Sequence, residues 1–236
     1  MLTIRDNADR ARTIIVIFII MIVVDALAFA TSAWQYVLLQ QLKNSYGSVP
    51  MSTLQLSDNL QQIAAIAAIL VLLFTIIYFI RWFRRGYYNL HNIPGSYPQF
   101  SEGWAAGWWF VPFMNLARPY QVMKEIWDGT QKVITHRLDK AYSSSIIGFW
   151  WAAYLVSNIY GNITFQVAKD ATDIDSLITV RVMDMVGKVI STIAIIITIV
   201  MIRRAQYLQQ KLYEEALEPG DSVFSIMAEG HEPGAE

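Results

Sequence analysis

The chain has 236 residues and a mass of 26.9 kDa; 55% of its residues are hydrophobic, 16% are charged, and mean hydropathy is +0.35. Soluble domains carry about 25% charged residues, so a disordered chain and a soluble acidic or basic binder are both excluded. The net charge of −1 offers no basic face for nucleic acid, and the lack of cysteine removes disulfides, thiolate zinc sites, cysteine nucleophiles and lipidation of a lipobox cysteine.

A bilayer-spanning helix needs about 20 mostly apolar residues. The first such run is Thr13 to Tyr36, broken only by Asp25. Basic residues followed by Thr13 to Val24 and Ala26-Leu27-Ala28 also resemble a cleavable leader. Apolar residues continue past that cleavage site and Asp25 sits beside it, so an uncleaved span is the preferred reading. A polar outer loop is expected from Gln40 to Gln62, with Gly47, Ser48 and Pro50 as turn signals. The second span is Ile63 to Phe83. Trp104 to Ala117, WAAGWWFVPFMNLA, is too short to cross and Pro112 interrupts it, which suggests a re-entrant or interfacial piece. Pro119 to about Arg137 predicts an amphipathic helix, with Val122, Met123, Ile126, Trp127, Val133 and Ile134 on one face and Gln121, Lys124, Glu125, Asp128, Gln131 and Lys132 opposite. Its apolar face suits docking on the ends of the spans, or a protein partner. The third span is Ser145 to Phe165. The fourth is Val180 to Ile202, after a second outer loop near Lys169 to Ser176. A helix is expected to continue through RRAQYLQQKLYEEAL, and residues 218–236 form an acidic tail read as disordered.

The charges orient this layout, because Lys and Arg concentrate in cytoplasmic loops. Of 18 basic residues, 14 lie before the first span, between the second and third, or after the fourth; Lys43 and Lys169 lie on the other side. Four spans with both termini in the cytoplasm follow, giving a membrane domain over 1–217 with a cytoplasmic insert at 84–142. The fold expected is therefore an all-α integral membrane bundle of four transmembrane helices, with the re-entrant or interfacial segment and the amphipathic helix on the cytoplasmic side.

Within the insert, Trp82-Phe83-Arg84-Arg85, then Tyr88-Asn89-Leu90, then GWAAGWWFVPFMNLARPYQVMKEIW from Gly103 to Trp127 form a long, tryptophan-rich motif. Its named positions include Trp104, Trp108, Trp109, Pro112, Asn115, Arg118, Pro119, Tyr120 and Trp127. The chain resembles, over roughly its first 210 residues, the bacterial membrane family catalogued as domain-of-unknown-function family 4328. That resemblance implies a four-helix pattern in the bacterial cytoplasmic (inner) membrane, and it carries no activity or functional residue.

An ionisable residue inside a span is costly, and is a functional hypothesis by default. At 1.5 Å per residue, Asp25, Asn158 and Lys188 lie roughly 18–21 Å from the inner boundary. Arg181, Asp184, Lys188 and Thr192 share one helix face, and Tyr154, Asn158 and Asn162 share another. The expected candidate site is one polar cluster of Asp25, Asn158, Asn162, Arg181, Asp184 and Lys188, either a static lock between helices or a solvated site. Ala153, Ser157 and Gly161, spaced by four, suggest a close helix contact.

Catalytic patterns are poor. His91, His136 and His231 are scattered, and no His-Glu-x-x-His, phosphate-binding glycine loop or G-x-S-x-G occurs. No metal and no cofactor are expected. The expectation is a non-catalytic membrane scaffold or regulator working through its insert, with the lipid bilayer as partner and the insert as the candidate surface for a protein partner. A small transporter, channel or ion-responsive protein using the polar cluster is the alternative.

Overall fold

The computed structural model describes residues 4–45, 49–135, 138 and 141–217; the acidic tail, His136 and His231 lie outside the described residues. The described chain is all-helical. In order it has α1 (Ala8–Asn44), α2 (Met51–His91), α3 (Glu102–Gly107), a 3-10 turn (Met114–Leu116), α4 (Arg118–Val133), α5 (Ser145–Asp170) and α6 (Ile174–Leu217). Three helices, α1, α2 and α6, are long and apolar enough to cross a membrane. α5 has 26 residues, enough length for a span, but Tyr154, Ser157, Asn158, Tyr160 and Asn162 dilute its apolar character.

The helices outrun the hydrophobic runs that announced them. The expected outer loop from Gln40 to Gln62 is mostly helix, since α1 continues to Asn44 and α2 begins at Met51. Hydropathy ends where hydrocarbon would end, whereas the backbone needs only good helix formers to continue, and Leu, Gln and Ala in 51–64 supply them. Pro50 opens α2, its carbonyl accepting from the amides of Thr53 and Leu54. α4 stops at Val133, earlier than the sequence pattern suggests. The Trp104–Ala117 run is not one helix: α3 ends at Gly107, turns follow, and Phe113 takes φ 64° before the 3-10 turn. That left-handed conformation is strained for an aromatic residue.

The chain divides into two compact units, and α1, α2, α5 and α6 contribute residues to both. The first unit comprises the described residues up to 15, 77–149 and from 199 onward. Its core is tightly packed: Trp82, Phe83, Tyr87, Met123, Ile126 and Trp127 are almost fully buried. The apolar face of α4 is thus spent inside this unit, along Val122, Met123, Ile126 and Val133. Buried amides tie the chain start to it. Asn7 donates to the Trp82 carbonyl at 3.0 Å and to Gln209 Oε1 at 2.8 Å. Asn89 exchanges a pair of bonds with the Arg5 backbone, at 3.0 and 2.8 Å. Gly86 is required where Gln209 crosses α2, since a Cβ there would lie 2.8 Å from Gln209 Nε2.

The second unit comprises 16–76 and 150–198. Here large apolar side chains face outward: Val16, Ile19, Val23 and Leu27 on α1, Ile66, Ile69 and Leu73 on α2, and Val189, Ile193 and Ile196 on α6. An outer surface this apolar is suited to lipid and not to water. Polar side chains on α1 and α2 bridge the two helices. Gln61 donates to Ser32 at 3.2 Å and Gln35 to Asp58 at 2.8 Å. Thr75 turns its hydroxyl back to the Val71 carbonyl at 2.8 Å.

Asp173 starts α6. Its carboxylate accepts from the Ser176 amide at 2.9 Å, and the Ser176 hydroxyl lies near the Asp173 amide and carbonyl. These bonds hold the Asp173 carboxyl below its ordinary value. A carboxyl with a lowered folded-state value stabilises the fold above its unfolded value of about 3.9, and that contribution is lost as pH falls through the folded value. The melting temperature of the purified protein should therefore fall more steeply with acidification below about pH 4 than that of Asp173→Asn, because Asn caps equally well and does not titrate. Parallel curves would contradict this role.

Candidate functional site

The charges within the apolar stretches of α1 and α6 gather around one carboxylate. Asp25 interrupts the apolar run of α1 and is 3% exposed. Lys188 Nζ lies 3.1 Å from its Oδ1, and the Ser191 hydroxyl donates to its Oδ2 at 2.7 Å. Lys188 and Ser191 stand three residues apart on α6, hence on one face. Both oxygens of Asp25 are thus satisfied by a single neighbouring helix. One turn and more back along α6, Arg181 and Asp184 pair at 3.0 Å, both partly buried.

Between α5 and α6 a groove of about 360 Å³ is lined by Ser157, Tyr160 and Thr164 on one side and by Arg181, Asp184, Lys188 and Ser191 on the other. The Tyr160 hydroxyl donates to the Met183 carbonyl at 3.1 Å. Thr164 Oγ1 is buried there and without a hydrogen-bond partner. The helices pack closely at Gly187, where a Cβ would approach the Tyr160 ring to 3.2 Å.

Four of the six expected residues, Asp25, Arg181, Asp184 and Lys188, therefore fall into two ion pairs beside this groove. Asn158 and Asn162 are not joined to them. Both are exposed, and each turns its amide onto its own helix: Asn158 donates to the Tyr154 carbonyl and Asn162 to the Asn158 carbonyl, both at 2.8 Å. Of the expected small-residue stripe, Ser157 and Gly161 do face α6 across the groove, but not at close range. A Cβ added at Gly161 would meet nothing within 4 Å, and Gly187 makes the close approach instead. Ser191 was not among the expected residues, although its spacing from Lys188 on α6 could have pointed to it.

The motif residues build the first unit. Trp82 is buried, with its indole N–H 3.3 Å from Gln206 Oε1. The Trp127 indole N–H reaches the Tyr142 carbonyl at 3.4 Å. Arg84 pairs with Glu102 at 3.0 Å. Arg85, Arg5 and Arg10 cluster, and burial and the two neighbouring guanidinium groups lower the Arg85 value. Trp104 and Trp108 stack at 4.4 Å, Trp109 meets Phe79 and Phe83 edge-on, and Arg118 lies over the Phe100 and Trp108 rings. Pro119 is buried in the first turn of α4, the Asn115 backbone N–H donates to the Val111 carbonyl, Pro112 lies in the exposed turn, and Tyr120 is half-buried. The ring nitrogens of His91 lie 2.9 Å from the carbonyls of Tyr87 and Phe100. Among the described residues no group of three His, Asp or Glu could hold a metal ion.

Residues 47–207 match the family described as Domain of unknown function (DUF4328). The chain belongs to the DUF4328 family. The matched range takes in α2 to α5 and α6 as far as Tyr207, and with them Arg181, Asp184, Lys188 and the whole tryptophan-rich motif. It starts later than the first-210-residue resemblance implied, so Asp25 on α1 lies before it. No curated protein and no solved structure matches the chain.

Ser191→Ala should lower stability by about 1 kcal/mol, since it removes a donor from a buried carboxylate. Asn158→Ala should change it by less than about 0.5 kcal/mol. Unfolding of both variants in one detergent checks the difference; equal losses would mean that Ser191 does not serve Asp25.

Proposed function

We propose that this DUF4328 protein is a four-span protein of the bacterial cytoplasmic membrane, with both termini in the cytoplasm, and that it works as a non-catalytic scaffold or regulator. Its cytoplasmic first unit is the working part. The 14-to-2 distribution of basic residues supports the orientation. The length of α5 supports it as the third of the four spans, between α2 and α6.

The segment from Trp104 to Ala117 lies at the inner interface in this reading. Phe110 and Phe113, at 68% and 84% exposure, are the side chains it would offer to lipid. Arg118 and the neighbouring indoles are residue types that favour the headgroup level. The segment holds a non-glycine residue at positive φ, Phe113, and backbone strain of that kind commonly accompanies a functional contact.

The observation that carries the scaffold reading is the state of Asp25. A transport site needs a carboxylate that meets water or an ion, whereas Asp25 is buried with both oxygens taken by Lys188 and Ser191. Such closed pairing suits a lock between α1 and α6. A folded first unit, in which the insert packs into a core with Trp82 and Trp127, then offers the larger built surface.

A second reading, a small transporter or ion-responsive protein, draws on the groove beside Arg181 and Lys188 and on the unpartnered Thr164 hydroxyl.

Purified protein in liposomes loaded with a pH-sensitive dye separates the two readings. Proton, sodium or potassium gradients should decay no faster than in empty liposomes, and Asp25→Asn/Lys188→Met should leave the decay unchanged. A gradient-driven flux that this double variant abolishes would overturn the scaffold reading.

A further inference from the structure

A second groove, of about 440 Å³, lies in the first unit between the start of α1 and the later turns of α6. Asp6, Asp9 and Arg12 line it from one side, and Arg203, Gln206 and Tyr207 from the other. Its position along the sequence fixes its depth. Arg12 is the last residue before the apolar run that begins at Thr13, and Arg203 is the first after the run that ends at Ile202. The residues that border two apolar runs on the same side of the hydrocarbon thus meet in one groove, at the level where phospholipid headgroups lie.

The charges in the groove are layered. Arg12 and Arg203 sit against the apolar runs. Asp9 lies one helical turn farther from the hydrocarbon, roughly 4.5 Å at 1.5 Å per residue, and Asp6 lies beyond it. Arg12 and Asp9 are only loosely engaged with each other. Their closest approach is 3.6 Å, with side chains 81% and 93% exposed, so neither is consumed by the pair. Arg203 is likewise exposed.

One donor in the groove is already buried and unpaired. Gln206 spends its Oε1 on the Trp82 indole at 3.3 Å, which leaves its Nε2 buried without a hydrogen-bond partner. A buried amide N–H without an acceptor is unfavourable, and a ligand oxygen in the groove that Gln206 lines would relieve it. The Tyr207 hydroxyl is a further donor on the same wall.

We infer that this groove binds the headgroup of a phosphatidylethanolamine molecule from the inner leaflet. Its phosphate would sit on Arg12, Arg203 and the Gln206 amide, and its ammonium on Asp9 and Asp6. Guanidinium groups bind phosphate with paired N–H donors. The ammonium, a two-carbon link beyond the phosphate and farther from the acyl chains, reaches the carboxylates in the order in which the groove presents them. Two cations and two anions make the groove's formal charge zero, which matches a zwitterionic headgroup and not an anionic one. A choline headgroup has no N–H to donate to Asp9 and Asp6. The inference rests on the proposed span orientation, with α1 and α6 crossing the bilayer, and stands or falls separately from the scaffold reading.

The test is native mass spectrometry of the full chain in mild detergent, titrated with phosphatidylethanolamine, phosphatidylglycerol and phosphatidylcholine of identical acyl chains. Phosphatidylethanolamine should be retained about tenfold better than the other two, and Arg12→Gln/Arg203→Gln should lose about tenfold of that retention. Asp6→Asn/Asp9→Asn keeps the α1 cap, in which the Asp6 carboxylate accepts from the Ala8 amide at 2.8 Å. It should bind phosphatidylethanolamine no better than phosphatidylglycerol. An unchanged melting temperature in each variant shows that the fold is kept; the altered residues are exposed or capping, and Gln and Asn preserve their shape. Equal or tighter retention of phosphatidylglycerol by the wild type would overturn the inference, as would full retention of phosphatidylethanolamine by the double arginine variant or a preference that survives Asp6→Asn/Asp9→Asn.

Discussion

A carboxylate on a helix apolar enough to cross a membrane must find its partners within the protein, and the second unit is organised around that requirement. Asp25 is the sole charged residue in the apolar run of α1, and α6 answers it with an ammonium and a hydroxyl one turn apart. A charge at the centre of a span costs about 2.5–3.5 kcal/mol on insertion scales, and breaking a buried pair strands the remaining charge. The pairing therefore fixes which face of α1 meets α6 and in what register. Arg181 and Asp184 settle their own charges within α6, which leaves Lys188 to Asp25.

The first unit is held by a different balance. Its core is aromatic and fully packed, as in a soluble domain, and its polar contacts are amides that bridge distant parts of the chain: Asn7 to Gln209, Asn89 to Arg5. The tryptophan-rich motif has a structural explanation in large part. Trp82 and Trp127 fill the core, and Trp109 stands edge-on to Phe79 and Phe83. What that packing does not use is the aromatic turn around Phe113 and the charged groove at Arg12 and Arg203, and both fall at sequence positions next to the apolar runs. The two units thus differ in what they present outward, a lipid-compatible surface in one and a mixed charged and aromatic surface in the other.

The long helices were legible in the sequence because apolar runs of spanning length have few alternatives. Their ends were not, because hydropathy reports the solvent and not the hydrogen bonding, and α2 continues through polar residues such as Ser57 and Gln61. The link between Asp25 and Lys188 was legible from depth and opposite charge. Asn158 and Asn162 were misplaced for a definable reason. Their spacing of four puts them on one stripe, but periodicity does not say which way the stripe faces, and an amide can satisfy itself on the carbonyl four residues back. The small-residue stripe of α5 does face α6, with Ser157 and Gly161 in the groove, but spacing does not give the distance, and the close approach is Gly187 against Tyr160. The lipid-level groove was hidden because Arg12 and Arg203 are separated by nearly the whole chain, and nothing local in either segment announces the other.

The central claim is that Asp25 and Lys188 form one energetic unit. A double-mutant cycle on Asp25→Asn and Lys188→Met, measured as unfolding free energy in mixed micelles, tests it directly. The account predicts that each single change destabilises, that the double change recovers much of the loss, and that the coupling falls at about 0.5–3 kcal/mol. Strictly additive losses, with no recovery in the double variant, would contradict it.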